Sequence, residues 1–302
     1  MQINRLNVST RQLRAFLALA ELKSFTRAAA RSNLSQPAFS AMIRALEDAV
    51  GVRLFHRDTR NVTLSAEGEL FAGGAVRLLR DFENAMSDLD EHAARRKGRV
   101  ALAALPALAA GWLPDVLAAF HREHPGIELD IADALSEDCV DRVRSGTADF
   151  ALAAIRATAP ELRTDPFCAD RFHLVCRHDH ALARKRRVGF ADIAGEPFVH
   201  LARTSSVRQH IEAAVWPVRL NQVMELDQLS TVAGMVRAGM GLTVVPTLTL
   251  FLFRHPELVT KPLNGSTLKR EIFLIRPRDR GLSVAAQALC DFLVARRPKT
   301  EA

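Results

Sequence analysis

The spacing of apolar residues in the first fifty positions predicts three short helices. The first helix is marked by apolar residues three and four positions apart, which form one buried face: Leu13, Phe16, Leu17 and Ala20. A hydroxyl-bearing residue stands at the start of each helix as a candidate N-cap: Thr10, Ser24 and Ser35. The third helix has Pro37 in its first turn, where the missing N–H costs nothing, and Gly51 at its end.

The pattern changes immediately after Gly51. Residues 52–57 and 62–64 have the character of two short strands, and residues 58–61 form a polar turn between them. Three helices followed by a two-stranded ribbon make a winged helix-turn-helix. In that arrangement the helix that begins at Ser35 lies in the major groove of DNA, with its N-terminal residues on the base edges.

Candidate DNA contacts follow from this placement. A Gln amide can pair with adenine, and an Arg side chain can reach guanine or a phosphate. Arg residues beside the turn of a wing suit the minor groove or flanking phosphates. The predicted DNA-binding residues lie on the third helix and the wing: Ser35, Gln36, Pro37, Ser40, Arg44, Arg57 and Arg60. The simpler alternative for Ser35 is a capping role alone, and for Gln36 it is plain solvation.

A long helix is predicted next, beginning after Ser65 and running to about residue 96. Its apolar residues recur at alternating spacings of four and three, the seam of a coiled coil: Phe71, Ala75, Leu78, Phe82, Ala85 and Leu89. One helix cannot bury such a face alone, so the pattern predicts a dimerisation partner. The alternative is that the helix packs on the winged domain of its own chain.

From residue 98 onward, predicted strands and helices alternate, which is typical of a mostly parallel sheet covered by helices. The predicted strands are 99–105, 127–132, 149–155, 172–177, 198–201, 222–225, 242–245 and 270–275. The predicted helices are 111–124, 137–145, one from residue 206, 228–237 and 283–296. Pro160 and Pro166 are expected to interrupt the pattern.

The composition narrows the class of protein. The chain has 302 residues, a hydrophobic fraction of 48% and only four scattered cysteines. No apolar run approaches the ~20 residues of a membrane helix, and no apolar segment marks a secretory signal. We therefore expect a cytoplasmic protein without a membrane partner or a disulfide framework.

The net charge of +7 is concentrated near the N-terminus. Residues 1–64 contain ten basic and four acidic residues, whereas residues 65–97 contain five and seven. The remaining residues are almost balanced, with 26 basic and 23 acidic side chains. A concentrated positive segment attracts phosphate, although a merely solvated basic face is the alternative.

The N-terminal region resembles the LysR-type transcriptional regulators. The resemblance rests on motifs that follow one another without a gap: Gln12-Leu13-Arg14-Ala15-Phe16, Ser24-Phe25-Thr26-Arg27-Ala28-Ala29, Leu34-Ser35-Gln36-Pro37-Ala38-Phe39-Ser40, Ile43-Arg44-Ala45-Leu46-Glu47, Gly51-Val52-Arg53-Leu54-Phe55-His56-Arg57 and Leu64-Ser65-Ala66-Glu67-Gly68. The second half fits the family pattern more loosely, for example over 236–246.

The resemblance implies an α+β multidomain fold with three parts. An N-terminal winged helix-turn-helix domain spans residues 1–64, and a long linker helix over 65–97 dimerises it through Phe71, Ala75, Leu78, Phe82 and Leu89. A two-lobed α/β effector domain, like a periplasmic binding protein, follows over 98–302. Lobe I comprises 98–160 and 269–302, and lobe II comprises 167–261.

The implied function is sequence-specific regulation of transcription, with promoter binding or activation modulated by a small-molecule effector in the cleft between the lobes. The implied partners are double-stranded promoter DNA, the effector, for which an organic acid is one class, and further copies of the chain in a dimer or a dimer of dimers. The resemblance also allows contact with RNA polymerase. No cofactor and no enzymatic activity are expected.

The effector is expected outside the carboxyl ends of the strands, where helix N-termini offer N–H groups. The predicted effector-binding residues occupy three such turns: Pro106 and Ala107, then Ser136, then Thr204, Ser205 and Ser206. Relatives that bind carboxylates often carry Ser or Thr at the position of Ala107, so one hydroxyl is missing there. Simple N-capping is the alternative role for the remaining hydroxyls.

Other classes of function remain as alternatives. Cys168 and Cys176 leave open a thiol-redox sensor of the same family. They fall within or beside a predicted apolar strand, which favours buried, unreactive thiols. A solute-binding protein without DNA binding would show no salt-dependent affinity for duplex DNA. An enzyme is disfavoured because the sequence contains no GxSxG, HExxH or GxxxxGK(S/T) motif. His178 and His180 have no further metal ligand nearby in sequence, so no metal is predicted.

Overall fold

The computed structural model describes residues 8–57, 62–94, 98–263 and 268–298. The chain forms two compact units: Met1–Arg95 with Ser145–Thr147, and Arg96–Arg144 with Ala148–Ala302. In the described ranges, no helix has both the length and the apolar character needed to span a bilayer.

The first unit confirms the three helices and the ribbon. Its elements are α1 (Thr10–Leu22), α2 (Phe25–Arg31), α3 (Gln36–Val50), β1 (Phe55–Arg57), β2 (Val62–Leu64) and α4 (Ala66–Ala94). One predicted cap is wrong, because Ser9 rather than Thr10 caps α1. The Ser9 hydroxyl accepts from the Gln12 N–H, and the Gln12 side chain accepts from the Ser9 N–H, which forms a capping box.

Phe16 is the centre of the core of the first unit. Its ring is fully buried on α1 and lies 5.2 Å from the ring of Phe55 in β1. A second neighbour, Phe71 of α4, meets the Phe16 ring edge-on at 5.1 Å. Aromatic rings in such tilted and edge-on pairs add attraction beyond the area they bury. Phe16 therefore joins the wing and the long helix to the same core.

The apolar stripe of α4 is buried along only part of its length. Ala75 and Leu79 are buried in the core of the first unit, and Phe71 packs against them. Other apolar residues of the helix are exposed: Leu70, Leu78, Phe82 and Met86. Phe82 follows Phe71 by about three helical turns, so it continues the same stripe beyond the core. The predicted seam therefore divides along the helix: Phe71 and Ala75 pack in their own domain, whereas Leu78 and Phe82 are exposed. The side chain of Leu89 lies outside the described residues.

The second unit alternates strands and helices, as predicted. Its helices are α5 (Pro106–Gly111), α6 (Leu113–Glu123), α7 (Ser136–Ser145), α8 (Phe190–Ile193), α9 (Ser206–Val215), α10 (Leu229–Arg237) and α11 (Val284–Ala295). Its strands are β3 (Gly98–Ala104), β4 (Ile127–Asp133), β5 (Phe150–Ala153), β6 (Leu162–Arg177), β7 (Pro197–Leu201), β8 (Asn221–Leu226), β9 (Thr243–Pro246), β10 (Leu258–Pro262) and β11 (Lys269–Pro277). Short 3-10 turns cover Ala181–Arg184 and Thr247–Phe253.

The sheet of the second unit is mixed, not mostly parallel as predicted. Its strand order is β10-β6-β11-β5-β3-β4, and β9 also pairs with β6. Strands β4, β3 and β5 are parallel, but β11 runs antiparallel to both β5 and β6. β7 and β8 form a separate parallel pair. The sheet is mixed because β11 lies between β5 and β6 and runs in the opposite direction to both.

Strand β6 is the main departure from the sequence prediction. It is 16 residues long and contains Pro166, which was expected to break the pattern. The strand accommodates Pro166 at a shift in register against Phe273 of β11. The N-terminal part of β6 pairs with β11, and the part beyond Arg171 pairs with β9 and β10.

Three hydrophobic clusters of the described residues pack around this long strand, and the two largest are separate from each other. One of these two contains buried residues of β3, β5, β11, α6 and α11, with Phe120 and Phe150 among the largest. The other contains buried residues of the last part of β6, β7, β9, α9 and α10, with Phe198 and Phe253 among the largest. The unit is thus built as two packed bodies that share β6.

Gly68 offers a test of the joint between α4 and the wing. A Cβ at this position would lie 2.1 Å from the backbone carbonyl oxygen of Leu54. We expect Gly68→Ala to lower the free energy of unfolding of the first unit by about 1–3 kcal/mol, measured by urea unfolding followed by circular dichroism.

Gly73 in the same helix is the matched control. A Cβ there would meet only the Arg77 Nη1 atom, at 3.6 Å. Gly73→Ala should therefore stabilise the helix by about 1 kcal/mol through its better helix propensity. Equal effects of the two substitutions would contradict the close approach at Gly68.

Candidate functional site

Helix α3 presents an exposed polar face next to its buried apolar face. Phe39, Ile43 and Leu46 are fully buried, which fixes the rotation of the helix about its axis. The predicted DNA-contacting residues lie on the other side: Ser35, Gln36, Pro37 and Arg44 are exposed, and Ser40 is half-buried. The Ser35 oxygen also accepts from the Ala38 N–H at 3.4 Å, so it caps the helix.

A buried carboxylate ties α3 to the wing. The Glu47 Oε1 atom accepts from the backbone N–H of Leu54 at 2.9 Å and from that of Phe55 at 3.2 Å. Glu47 is only 9% exposed, so these bonds are made away from water. Its position four residues after Ile43, on the same face of the predicted helix, was the available sequence signal.

Ser65 fixes the other side of the wing. Its hydroxyl donates to the Arg53 carbonyl at 2.7 Å and accepts from the Gly68 N–H at 3.0 Å. The predicted cap of the long helix is therefore confirmed, and it also holds the chain that enters β1. Arg57 lies in β1, but its side chain is outside the described residues, as is Arg60.

The first two predicted effector turns are more closed than expected. Pro106 and Ala107 form the start of α5, and Ala107 is buried. Ser136 is also buried, and its hydroxyl oxygen accepts from the Ala154 N–H at 3.1 Å. This bond links the start of α7 to the chain just after β5. Ser136 thus has a structural role whether or not it contacts an effector.

The third predicted turn is open. Thr204 is exposed, and Ser205 and Ser206 are half-buried at the start of α9. Ser205 occupies the N-cap position, but its side chain makes no capping bond to the helix. The hydroxyls here are therefore not explained by capping, and the first-turn N–H groups of α9 lie beside them.

Arg208 anchors this helix start to the neighbouring strands. Its side chain is 3% exposed, and its Nη1 atom donates to the Leu201 carbonyl at 3.1 Å. Further donors of the same guanidinium reach Gln222 at 3.0 Å and Glu212 at 2.6 Å. Burial, and then the charge of Arg208, lower the pKa of the adjacent His200 to about 4.

A buried ion pair lies where β6 changes partners. The Arg270 Nη2 atom is 3.0 Å from Asp170 Oδ2, and the two residues are register partners on β11 and β6. Burial raises the pKa of Asp170 and lowers that of Arg270, whereas their mutual attraction opposes both shifts. Sequence reasoning missed this pair because the two residues are one hundred positions apart.

Two parts of the chain match two family descriptions. Residues 10–69 match "Bacterial regulatory helix-turn-helix protein, lysR family", and residues 93–298 match "LysR substrate binding domain". The chain belongs to the LysR family. It is a DNA-binding transcriptional regulator with an effector-binding domain, and its family consists of regulators rather than enzymes.

Full-length relatives and structures agree with the LysR assignment. The HTH-type regulator YfeR of Shigella flexneri is 32% identical over 288 residues, 95% of this chain and 93% of that protein. The RuBisCO operon transcriptional regulator of Allochromatium vinosum is 32% identical over 296 residues, 96% and 97%. The structure of full-length CbnR with its target DNA aligns with a TM-score of 0.70 at 21% identity, covering 96% and 99%.

The cysteine thiols of this LysR protein have raised pKa values, whereas redox-sensing thiols have lowered ones. Burial raises the pKa of Cys139 and Cys168 to about 12, and nearby Asp138 and Asp170 act in the same direction. Burial also raises the pKa of Cys176 to about 11 and that of Cys290 above its ordinary value. A sensor thiol needs a lowered pKa, so these thiols favour the small-hydrophobe interpretation.

Replacing Glu47 tests how the wing is held. Glu47→Ala leaves two buried backbone N–H groups without this acceptor, so we expect a loss of about 1–3 kcal/mol in the free energy of unfolding. Affinity for a duplex selected by the wild-type protein from a random pool should also fall. Glu47→Gln keeps an acceptor oxygen and should lose less.

The neighbouring exposed carboxylate provides the control for Glu47. Asp48→Ala removes a similar charge without touching β1, and should leave the unfolding free energy nearly unchanged. A Glu47→Ala protein as stable as the Asp48→Ala protein would contradict the anchoring role.

Thiol labelling tests the raised pKa values. At pH 8 an ordinary thiol is roughly one-quarter thiolate, whereas one with a pKa of about 12 is about one part in ten thousand thiolate. Iodoacetamide should therefore label the native chain far more slowly than glutathione in the same tube, and urea should abolish the difference. Native Cys168 reacting at the rate of glutathione would revive the redox alternative.

Proposed function

We propose that the exposed face of α3, from Gln36 to Arg44, contacts the base edges and phosphates of a promoter. The observation that carries the proposal is the exposed face of α3, where Gln36 and Arg44 stand free of the core while Glu47 fixes the helix against the wing. Gln36 and Arg44 are the base or phosphate contacts, and Arg57 and Arg60 add contacts beside the wing. Ser35, Pro37 and Ser40 shape the surface between them.

Dimerisation is proposed through the exposed part of the α4 stripe. Leu78, Phe82 and Met86 are exposed apolar residues, whereas Phe71, Ala75 and Leu79 of the same helix pack against the winged domain. A second copy of the same helix would bury these exposed residues, with Leu89 continuing the stripe. We propose that residues 1–64 bind DNA, residues 65–97 dimerise the chain and residues 98–302 bind the effector, although α4 shares the core of the winged domain.

The effector is proposed to bind at the open start of α9, between lobe I (98–160 and 269–302) and lobe II (167–261). Thr204, Ser205 and Ser206 supply hydroxyls and first-turn N–H groups, which suit a small organic acid. Pro106, Ala107 and Ser136 complete the proposed lining. Binding changes DNA affinity only if the effector favours one of two states of the protein.

Further partners follow from regulation of a promoter. We infer contact with RNA polymerase and a cytoplasmic location, because promoter DNA is the proposed partner of α3. We also infer that two dimers assemble into a dimer of dimers on the promoter.

Substitution of Arg44 tests the proposed groove contact. Arg44→Ala should weaken binding to the selected duplex, measured by fluorescence anisotropy over a range of salt. If Arg44 contacts a phosphate, the slope of log affinity against log salt should fall by roughly 1. Arg122→Ala removes an exposed cation from α6 and serves as the control.

Two outcomes would count against the proposal. Unchanged affinity and footprint for Arg44→Ala at physiological salt would count against the placement of α3 in the groove. Absence of salt-dependent binding in the wild-type protein would favour a solute-binding protein instead.

A further inference from the structure

A run of four basic residues carries the positive excess of residues 98–302. Arg184, Lys185, Arg186 and Arg187 follow one another shortly before α8. Residues 98–302 contain 26 basic and 23 acidic side chains, and without this run they would contain 22 and 23. The remainder of this part of the chain is therefore close to neutral. We call residues 184–187 the basic loop.

The three arginines of the basic loop have no anionic partner within the described ranges. Arg184, Arg186 and Arg187 are exposed, and their side chains form no ion pair there. Asp192 of α8 pairs with the lysine of the loop instead, because the Lys185 Nζ atom lies 2.7 Å from Asp192 Oδ1. Three positive charges within four residues are thus left to water and to anions in solution.

Buried residues hold the basic loop at both ends. Leu182 is 3% exposed and Val188 is 1% exposed, and both belong to the core that packs on the last part of β6. The Leu182 N–H donates to the His180 Nδ1 atom at 3.2 Å, which caps the 3-10 turn at Ala181–Arg184. Val188 forms a β-bridge with Leu263, directly after β10. The loop therefore leaves the core and returns to it over a short span.

Hydrogen bonds hold the middle of the loop. The Lys261 Nζ atom, from β10, donates to the Lys185 carbonyl at 2.7 Å. The Asp192 carboxylate accepts from Lys185 and also from the Gly189 N–H at 2.9 Å. Both lysines thus fix the backbone of the loop, whereas its arginines are exposed. A backbone that is already ordered loses less entropy when it binds a partner.

The charge pattern of the loop fits a phosphodiester backbone. Duplex DNA carries one negative charge per ~1.7 Å of helix axis, and each phosphate that a protein neutralises releases condensed counterions. A guanidinium presents its N–H donors in a planar fork that matches two phosphate oxygens. The chain is a DNA-binding regulator, so duplex DNA is the polyanion that it meets in its established role.

We propose that the basic loop is a second DNA-binding surface, which contacts backbone phosphates without reading the base sequence. Arg184, Arg186 and Arg187 bind the phosphates, and Lys185 and Lys261 are positioning residues that hold the loop. This role adds DNA affinity to the proposed effector binding of residues 98–302, and it leaves the choice of sequence to α3.

The test compares full-length proteins on two duplexes of equal length, one selected by the wild-type protein from a random pool and one of scrambled sequence. Fluorescence anisotropy over a range of salt gives the affinity and its salt dependence. The triple variant Arg184→Ala, Arg186→Ala, Arg187→Ala should reduce the slope of log affinity against log salt by roughly 2–3. Its affinity at low salt should fall about tenfold or more, by a similar factor on both duplexes, because phosphate contacts carry no sequence information.

A second triple variant controls for the loss of net charge. Arg122→Ala, Arg237→Ala, Arg254→Ala removes three exposed cations from separate elements of the second unit. Charges that do not touch the duplex are screened by salt, so this variant should change the slope by roughly 1 or less.

A third triple variant separates charge from folding. Arg184→Lys, Arg186→Lys, Arg187→Lys keeps the three positive charges and should retain most of the salt slope. Substitutions at exposed positions have small effects on stability, so the thermal midpoints of the Ala and Lys loop variants should both stay near that of wild type.

The same assay separates this inference from the proposed role of α3. Gln36→Ala should weaken binding mainly to the selected duplex, because a Gln amide pairs with a base edge. The loop variant should weaken both duplexes alike, so either result can fail without the other.

Four results would overturn the inference. A salt slope of the Ala loop variant equal to that of wild type would leave the loop as a solvated surface. An equal reduction in the Arg122, Arg237 and Arg254 variant would show a general effect of net charge. A loss confined to the selected duplex would assign the arginines to base reading. A loop variant that keeps wild-type DNA affinity but loses binding to polyglutamate would indicate an acidic protein partner instead.

Discussion

Strand β6 is the element on which the second unit depends. It is continuous from Leu162 to Arg177, yet its partners change near Arg171 from β11 to β9 and β10. Each core thus packs on a different part of one strand, and the backbone hydrogen bonds hold both parts in register. Any relative rotation of the cores must be absorbed where the partners change. Asp170 and Arg270 are buried at that point, and removing either charge would leave the other without its counterion.

In each unit, a buried charged side chain with several hydrogen bonds fixes a helix whose first turn is exposed. In the first unit, buried Glu47 binds the backbone of β1 and leaves the first turn of α3 open. In the second unit, buried Arg208 binds the Leu201 carbonyl at the end of β7 and leaves the first turn of α9 open. A charged side chain that is buried and fully hydrogen-bonded gives a fixed orientation, which apolar contacts alone specify less strictly. The open helix ends can therefore meet a ligand without rearranging their supports.

The sequence was most informative where structure is local. The three N-terminal helices and the cap at Ser65 could be predicted because periodicity and capping act over a few residues. The seam of α4 was only partly predictable, since periodicity identifies an apolar stripe but not which part of it the chain's own core takes. Pro166 concealed the length of β6 because proline usually ends a strand. The Asp170–Arg270 pair could not be predicted, because it depends on a register between distant strands.

The shared core of the winged domain and α4 has a consequence for recombining regulators. An exchange of DNA-binding domains between family members that follows the end of the wing would cut the chain at residue 64. A cut there would separate Phe16 from Phe71 and would leave Ala75 and Leu79 facing a foreign surface. The smallest transferable DNA-binding domain therefore includes the first four turns of α4, to about residue 80. A junction between two regulators should lie beyond that residue, where α4 no longer packs on the winged domain.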